Sequence, residues 1–128
     1  MSYLVDTDWI IDGLAGMPAA LTWFDEHRDE GLAVSIVTLG EVYEGAFISP
    51  DPEAHIASFQ EFLALFTILP LTDAIVQHFA RLRAMLRRQG NLIPDLDLLI
   101  AATAIEHDLT FLTRNRRHFE RIPELPLG

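Results

Sequence analysis

The sequence predicts an α/β protein, a parallel β-sheet with helices on both faces. Three observations point to this class. Four short apolar runs read as strands: Tyr3–Val5, Leu32–Ser35, Thr67–Leu69 and Thr110–Leu112. Longer segments with apolar residues at helical spacing lie between them. Half of the 128 residues are hydrophobic, enough to cover both faces of a sheet within a single domain, 1–128. Strands that alternate with helices are joined by crossovers and therefore run parallel.

The elements follow in order. Tyr3-Leu4-Val5 ends abruptly at Asp6-Thr7-Asp8, and apolar residues resume at Trp9. Either aspartate can cap a helix starting there. Pro18–Asp29 reads as the next helix. After the second strand, Thr38–Phe47 reads as a helix with Thr38 as N-cap, and T38-L-G-E41 has the form of a capping box. Asp51-Pro52 is a cap followed by proline at the first helical position. It opens a helix to about Phe66, with Ile56, Phe59, Phe62 and Phe66 in helical spacing. Thr72 or Asp73 opens another, with Ile75, Phe79, Leu82 and Leu86 on one stripe and Gly90 as its stop. Asp95–His107 is the last long helix. Asp95 and Asp97 lie in its first turn, where the helix dipole favours acids, and Asp95 reads as a cap. Thr113 and Asn115 can cap whatever follows the fourth strand.

Composition narrows the chemistry. There is no cysteine, so disulfides and thiolate metal sites are excluded. No stretch is apolar for long enough to span a membrane, and no signal-peptide pattern opens the chain. A soluble, cytoplasmic protein is expected. The formal net charge is −10, from 19 acids and 9 bases, and every base is arginine. Residues 1–80 hold 13 acids and only Arg28, whereas residues 81–128 hold 8 arginines and 6 acids. Taken whole, the chain repels phosphate. A role on nucleic acid therefore needs a local device, either bound cations or the C-terminal arginines.

The acids fall where such a device would sit. In an open parallel sheet, ligands bind beyond the carboxyl ends of the strands, where strand order reverses. Asp6 ends the first strand, Glu41 follows the second, and Asp97 opens the helix feeding the fourth. Each has a plain reading as a helix cap or first-turn acid. Together they would repel one another unless a cation lay between them. Hard Mg²⁺ or Mn²⁺ suits carboxylates and water, and such an ion inverts the local charge toward phosphate.

With these residues in view, the chain resembles the PIN-domain family, and within it the VapC-type toxin ribonucleases. "YLVDTDWII" resembles the family's first strand with Asp6. "VSIVTLGEVYEGA" (34–46) resembles its second motif with Glu41. "IPDLDLLIAATAIEHDLTFLTRNRRHFERI" (93–122) resembles the third acidic motif, with Asp97, and the T-R-N segment after the fourth strand. The resemblance covers nearly the whole chain. It implies a PIN-like α/β/α sandwich with about five parallel strands. It also implies a Mg²⁺-dependent endoribonuclease, with Mn²⁺ as a possible substitute, that hydrolyses RNA by metal-activated water. Its implied partners are a VapB-like antitoxin that occludes the site, an RNA substrate and a second copy in a homodimer. The implied catalytic and metal residues are Asp6, Glu41 and Asp97, with Asn115 as a further, uncharged ligand. Relatives often carry another acid near Asn115 and His118. Whether one or two metals bind stays open, and Asp95 or Asp8 could assist.

The rival readings are a haloacid-dehalogenase-type phosphatase and a receiver domain. Both place acids at strand ends, but both need a lysine that this chain lacks. A PIN-like module that binds protein or RNA without cleaving it is the non-enzymatic alternative. Arg81, Arg83, Arg87 and Arg88 read either as a solvated helix face or as an RNA contact. Arg114, Arg116, Arg117 and Arg121 follow the fourth strand and are expected to contact RNA phosphates. His118 is the one histidine near the site. Trp9 and Trp23 read as core or interface.

Overall fold

In the computed structural model, which describes residues 1–128, the four apolar runs form strands with the bounds expected: β1 (Tyr3–Val5), β2 (Leu32–Ser35), β3 (Thr67–Leu69) and β4 (Thr110–Leu112). They pair in the order β3-β2-β1-β4, all parallel. The resemblance implies about five strands. There are four, and beside β4 the C-terminal segment makes a single parallel bridge from Leu127 to Phe111.

Side chains alternate along the strands, so β1, β2 and β4 each feed two cores, and β3 contributes Leu69 to one. Leu4, Ala33, Leu69 and Phe111 belong to one. Val5, Leu32, Val34 and Leu112 belong to the other. The first is closed by α5 (Asp73–Arg88), α6 (Asp95–Glu106) and the short α7 (Arg116–Phe119), through Leu82, Leu86, Leu98, Ala101 and Phe119. The second is closed by α1 (Thr7–Leu14), α2 (Pro18–His27), α3 (Ile36–Ile48) and α4 (Pro52–Phe62), through Ile10, Phe24, Leu39, Val42 and Phe59. The result is the α/β/α sandwich. Gly13 lets α1 settle onto its neighbours. A Cβ there would stand 2.7 Å from Phe62 Cζ and 2.9 Å from Phe24 Cε2.

Most helix starts follow the sequence. The Asp51 side chain accepts from Ala54 N, and the Thr72 side chain accepts from Ile75 N. Gly90, with φ of 66°, follows the end of α5. Two starts are corrected. The helix expected from Thr38 begins at Ile36, and Ser35, the last residue of β2, is its cap, its Oγ accepting from Val37 N. Thr38 is thus inside α3, and Glu41 is not part of a capping box. The N-cap of α6 is Pro94, not Asp95. The Asp95 carboxylate instead accepts from Arg83 Nε at 2.8 Å, so Asp95 is not the cap.

The chain connects β1 to β2 and β3 on one side and reaches β4 on the other. Strand order therefore reverses at β1 and β4, and the crevice beyond their carboxyl ends is the expected ligand position. No helix is long and apolar enough to cross a membrane.

Candidate active site

Asp6 leaves the end of β1 and caps α1. Its Oδ1 accepts from Thr7 N at 2.8 Å, and its Oδ2 accepts from Thr113 Oγ at 2.7 Å, 107 residues away. The side chain is buried, at 6% exposure. Burial raises its pKa most, with the Asp8 charge next and Asp97 adding a little. Hydrogen bonds from Thr113 and Thr7 oppose them, and the outcome is about 7 against an ordinary 3.8. Capping and the accumulation of charge are here properties of one residue.

Thr7 joins Asp6 to Glu41. Its hydroxyl donates to Glu41 Oε1 at 2.6 Å. A single hydroxyl has one proton, so the Thr38 hydroxyl, 3.0 Å away and fully buried, donates to Thr7 in turn. Thr7 and Thr38 thus hold Glu41, on α3, against the end of β1. Nothing in the sequence singles out Thr7 except its place between two aspartates. Glu41 also lines an open groove of about 510 Å³ whose walls include Thr7, Ile11, Glu44, Leu96 and Leu99.

Asp97, in the first turn of α6, is half-buried. Its pKa is raised chiefly by burial. The neighbouring His118 lowers it, and Asp8 raises it. His118 Nδ1 lies 3.8 Å from Asp97 Oδ2 and 2.8 Å from the Asn115 amide nitrogen. Asn115 precedes α7 without a side-chain capping bond, and its amide is engaged with His118. His118 is therefore more central than its isolated position in the sequence suggests.

Asp8 has a different job. Its Oδ1 accepts from Trp9 N at 2.7 Å and its Oδ2 from Arg114 N at 2.9 Å. It ties the segment after β4 to α1. The arginines also sort themselves. Arg114 pairs with Asp12, Arg116 donates to Gly128 O at 2.7 Å, and Arg121 donates to Leu92 O at 3.2 Å. Arg81 pairs with Glu124 and Arg83 with Asp95. Arg117 is exposed and has no protein partner, as do Arg87 and Arg88 on α5.

No three histidine or acidic side chains stand close enough together to close on one ion as they are. The donor chemistry nonetheless fits a divalent cation. Asp6 is a buried carboxylate whose pKa burial first, and the Asp8 charge second, raise to about 7, Asp97 is raised chiefly by burial, and only one Glu41 oxygen is engaged. Hard cations relieve this kind of crowding among oxygen donors.

Comparison with known proteins agrees with the architecture. The PIN domain family model matches residues 3–125. Ribonuclease VapC2 of Haemophilus influenzae is 35% identical over 123 residues, covering 95% of this chain and 92% of that protein. The tRNA(fMet)-specific endonuclease VapC of Shigella flexneri is 30% identical over 122 residues, covering 95% and 92%. Among solved structures, VapBC2 from Rickettsia felis, bound to a DNA fragment from its promoter, superposes with a TM-score of 0.94 at 26% identity. That match covers 100% of this chain and 98% of the other. With the family model matching residues 3–125 and a VapC relative 35% identical over nearly its full length, this chain belongs to the PIN-domain family, in its VapC-type branch.

Proposed function

We propose that this chain is a divalent-metal-dependent endoribonuclease and the toxin half of a toxin–antitoxin pair, with Asp6, Glu41 and Asp97 as the residues that would hold the cation. The observation that carries the reading is the buried Asp6 carboxyl, raised to about 7, at the point where strand order reverses. The VapC relatives are named as a ribonuclease and a tRNA(fMet)-specific endonuclease, and hydrolysis of RNA phosphodiester bonds comes to this chain from them. When bound, Mg²⁺ or Mn²⁺ supplies positive charge toward a phosphate and makes a nearby water more acidic.

The protein's own groups prepare that chemistry. Thr113 and the Thr7 amide hold Asp6 in one orientation. Thr7, backed by Thr38, does the same for Glu41. Glu41 Oε2, with no protein partner, is free to accept a proton from the attacking water and orient it toward phosphorus. The water oxygen adds to phosphorus as the bond from phosphorus to the ribose oxygen breaks, and that oxygen takes up a proton from solvent. His118 steadies Asp97. Asn115 is less suited than the three acids, because its amide already meets His118. An antitoxin partner follows from the VapBC relative. The groove beside Glu41 suits it, with acids in its wall and exposed Ile11 and Leu96 at 51% and 50% on its rim. A second copy in a homodimer belongs to the same proposal.

The test is cleavage of total cellular RNA by wild type and Asp97→Asn, with Mg²⁺ and with chelator. Discrete fragments that require both the metal and Asp97 are the expected result. Undiminished metal-dependent cleavage by Asp97→Asn would remove that residue from the site. Absence of cleavage by folded, metal-loaded wild type would overturn the ribonuclease reading.

A further inference from the structure

We propose that Arg114 is a positioning residue: a cation locked onto α1 that fixes the turn after β4, and through it the contacts of Thr113 with Asp6 and of His118 with Asp97. The inference rests on the ribonuclease reading of the same site. It assigns Arg114 a role opposite to the one its place in an arginine-rich segment suggests.

Three residues of α1 meet this one side chain and its backbone. Asp8 accepts the Arg114 amide at 2.9 Å. Asp12, one turn further on, faces the guanidinium. Trp9 lies beneath it, with the Arg114 Cζ 5.1 Å from the ring centre. Trp9 is itself held by Trp23 and Phe24, with ring centres 5.7 Å and 6.3 Å away. The platform is therefore anchored in the core between α1 and α2.

Neighbours of Arg114 on both sides reach the acids. Thr113 Oγ donates to Asp6 and accepts from Asn115 N at 3.1 Å. Asn115 meets His118, and His118 faces Asp97. Asp6 and Asp97 come from distant parts of the chain, and the turn at 113–115 is their common support.

Phosphate binding that drew the guanidinium away from α1 would separate it from Asp12. Asp12 Oδ2 is buried and has no hydrogen-bonding partner besides this cation. Stripping a buried carboxylate oxygen of its countercharge is strongly unfavourable. Planar stacking on an aromatic face together with a carboxylate is a combination that guanidinium serves and ammonium does not.

The experiment uses the full chain with Arg114→Met, which keeps the apolar stem, and Arg114→Lys, which keeps the charge. Amide hydrogen exchange over residues 113–118, Mn²⁺ affinity by electron paramagnetic resonance, and kcat and KM on an RNA fragment cut by wild type are measured. For Arg114→Met, exchange in this segment speeds up about tenfold, and Mn²⁺ affinity and kcat each fall about 10- to 100-fold. KM and the salt dependence of RNA binding stay within about twofold. Arg114→Lys falls between the two proteins, and it carries the test if Arg114→Met does not fold. Adding Asp12→Asn to Arg114→Met makes exchange and affinity no worse, as expected of two partners in one contact. A raised KM and a salt slope flattened by about 0.7, the loss of one phosphate contact, with exchange unchanged, would assign Arg114 to RNA and overturn the proposal. Unchanged exchange and Mn²⁺ affinity would also overturn it. If wild type cuts no RNA while exchange and Mn²⁺ affinity respond as stated, the ribonuclease reading fails and the positioning role stands.

Discussion

Replacing Asp6 by asparagine separates what this carboxylate does to the cation-free fold from what it does for the site. An amide of the same shape keeps both hydrogen bonds. Its oxygen accepts from Thr7 N, and its nitrogen donates to Thr113 Oγ once that hydroxyl turns. Only the charge is removed. Burial first, and Asp8 second, hold the Asp6 pKa at about 7 instead of 3.8. The folded state therefore binds this proton more tightly than the unfolded chain does. The corresponding stability is complete below pH 3.8 and is lost as the pH rises through about 7. At roughly 1.36 kcal/mol per pH unit, that interval is worth about 4 kcal/mol. The assay is urea unfolding of wild type and Asp6→Asn in chelator between pH 4 and pH 8.5, followed by fluorescence. The expected result is two proteins of similar stability near pH 4. By pH 8 the variant is the more stable by about 2–4 kcal/mol, part of the full value being offset by relaxation around the charge. Saturating Mg²⁺ then stabilises wild type and not the variant, so the gap closes. A difference that does not grow with pH, or a variant less stable at pH 8, would refute the reasoning.

Two further outcomes follow from other parts of the molecule. Arg117→Gln, removing an exposed arginine without a protein partner next to α7's first residue, is expected to weaken RNA binding and to reduce its salt slope by about 0.7. Arg116→Gln, removing a residue already bonded to Gly128 O, changes that slope less, and equal slopes in a filter-binding titration would contradict the distinction. Gly13→Ala adds a Cβ against two aromatic rings at 2.7 and 2.9 Å. It is expected to cost about 1–3 kcal/mol of overpacking, outweighing a helix-propensity gain of about 1 kcal/mol, and a rise in melting temperature would show that the rings yield easily.

The strands were legible because each apolar run is short and bounded by turn residues or caps, and all four were located with their bounds. The candidate acids were legible because a parallel sheet directs strand ends to one edge. The start of α3 was not. Ser35 serves at once as the last strand residue and as the cap, while T38-L-G-E41 imitates a capping box. The roles of Thr7, Arg114 and His118 escaped for a different reason. Their partners lie across the fold, 31 and 34 residues away for Thr7 and 106 away for the Arg114 amide. Local pattern carries no information about such meetings. The arginines after β4 show the same limit: charge composition groups four of them, and only the structure shows that Arg114, Arg116 and Arg121 also make contacts within the chain.

The span of 107 residues between Asp6 and Thr113 also has a consequence in time. A ribosome releases the amino-terminal end first, and domains form as they emerge. Asp6 is made 107 residues before Thr113, which lies in the segment that orients it. Until that segment docks, β1 lacks one neighbour, Arg114 is not seated, and Asp97 has no His118 beside it. A partly made chain therefore exposes the acids without assembling them. The proposed site is thus completed by the docking of this later segment, not by the synthesis of its acids.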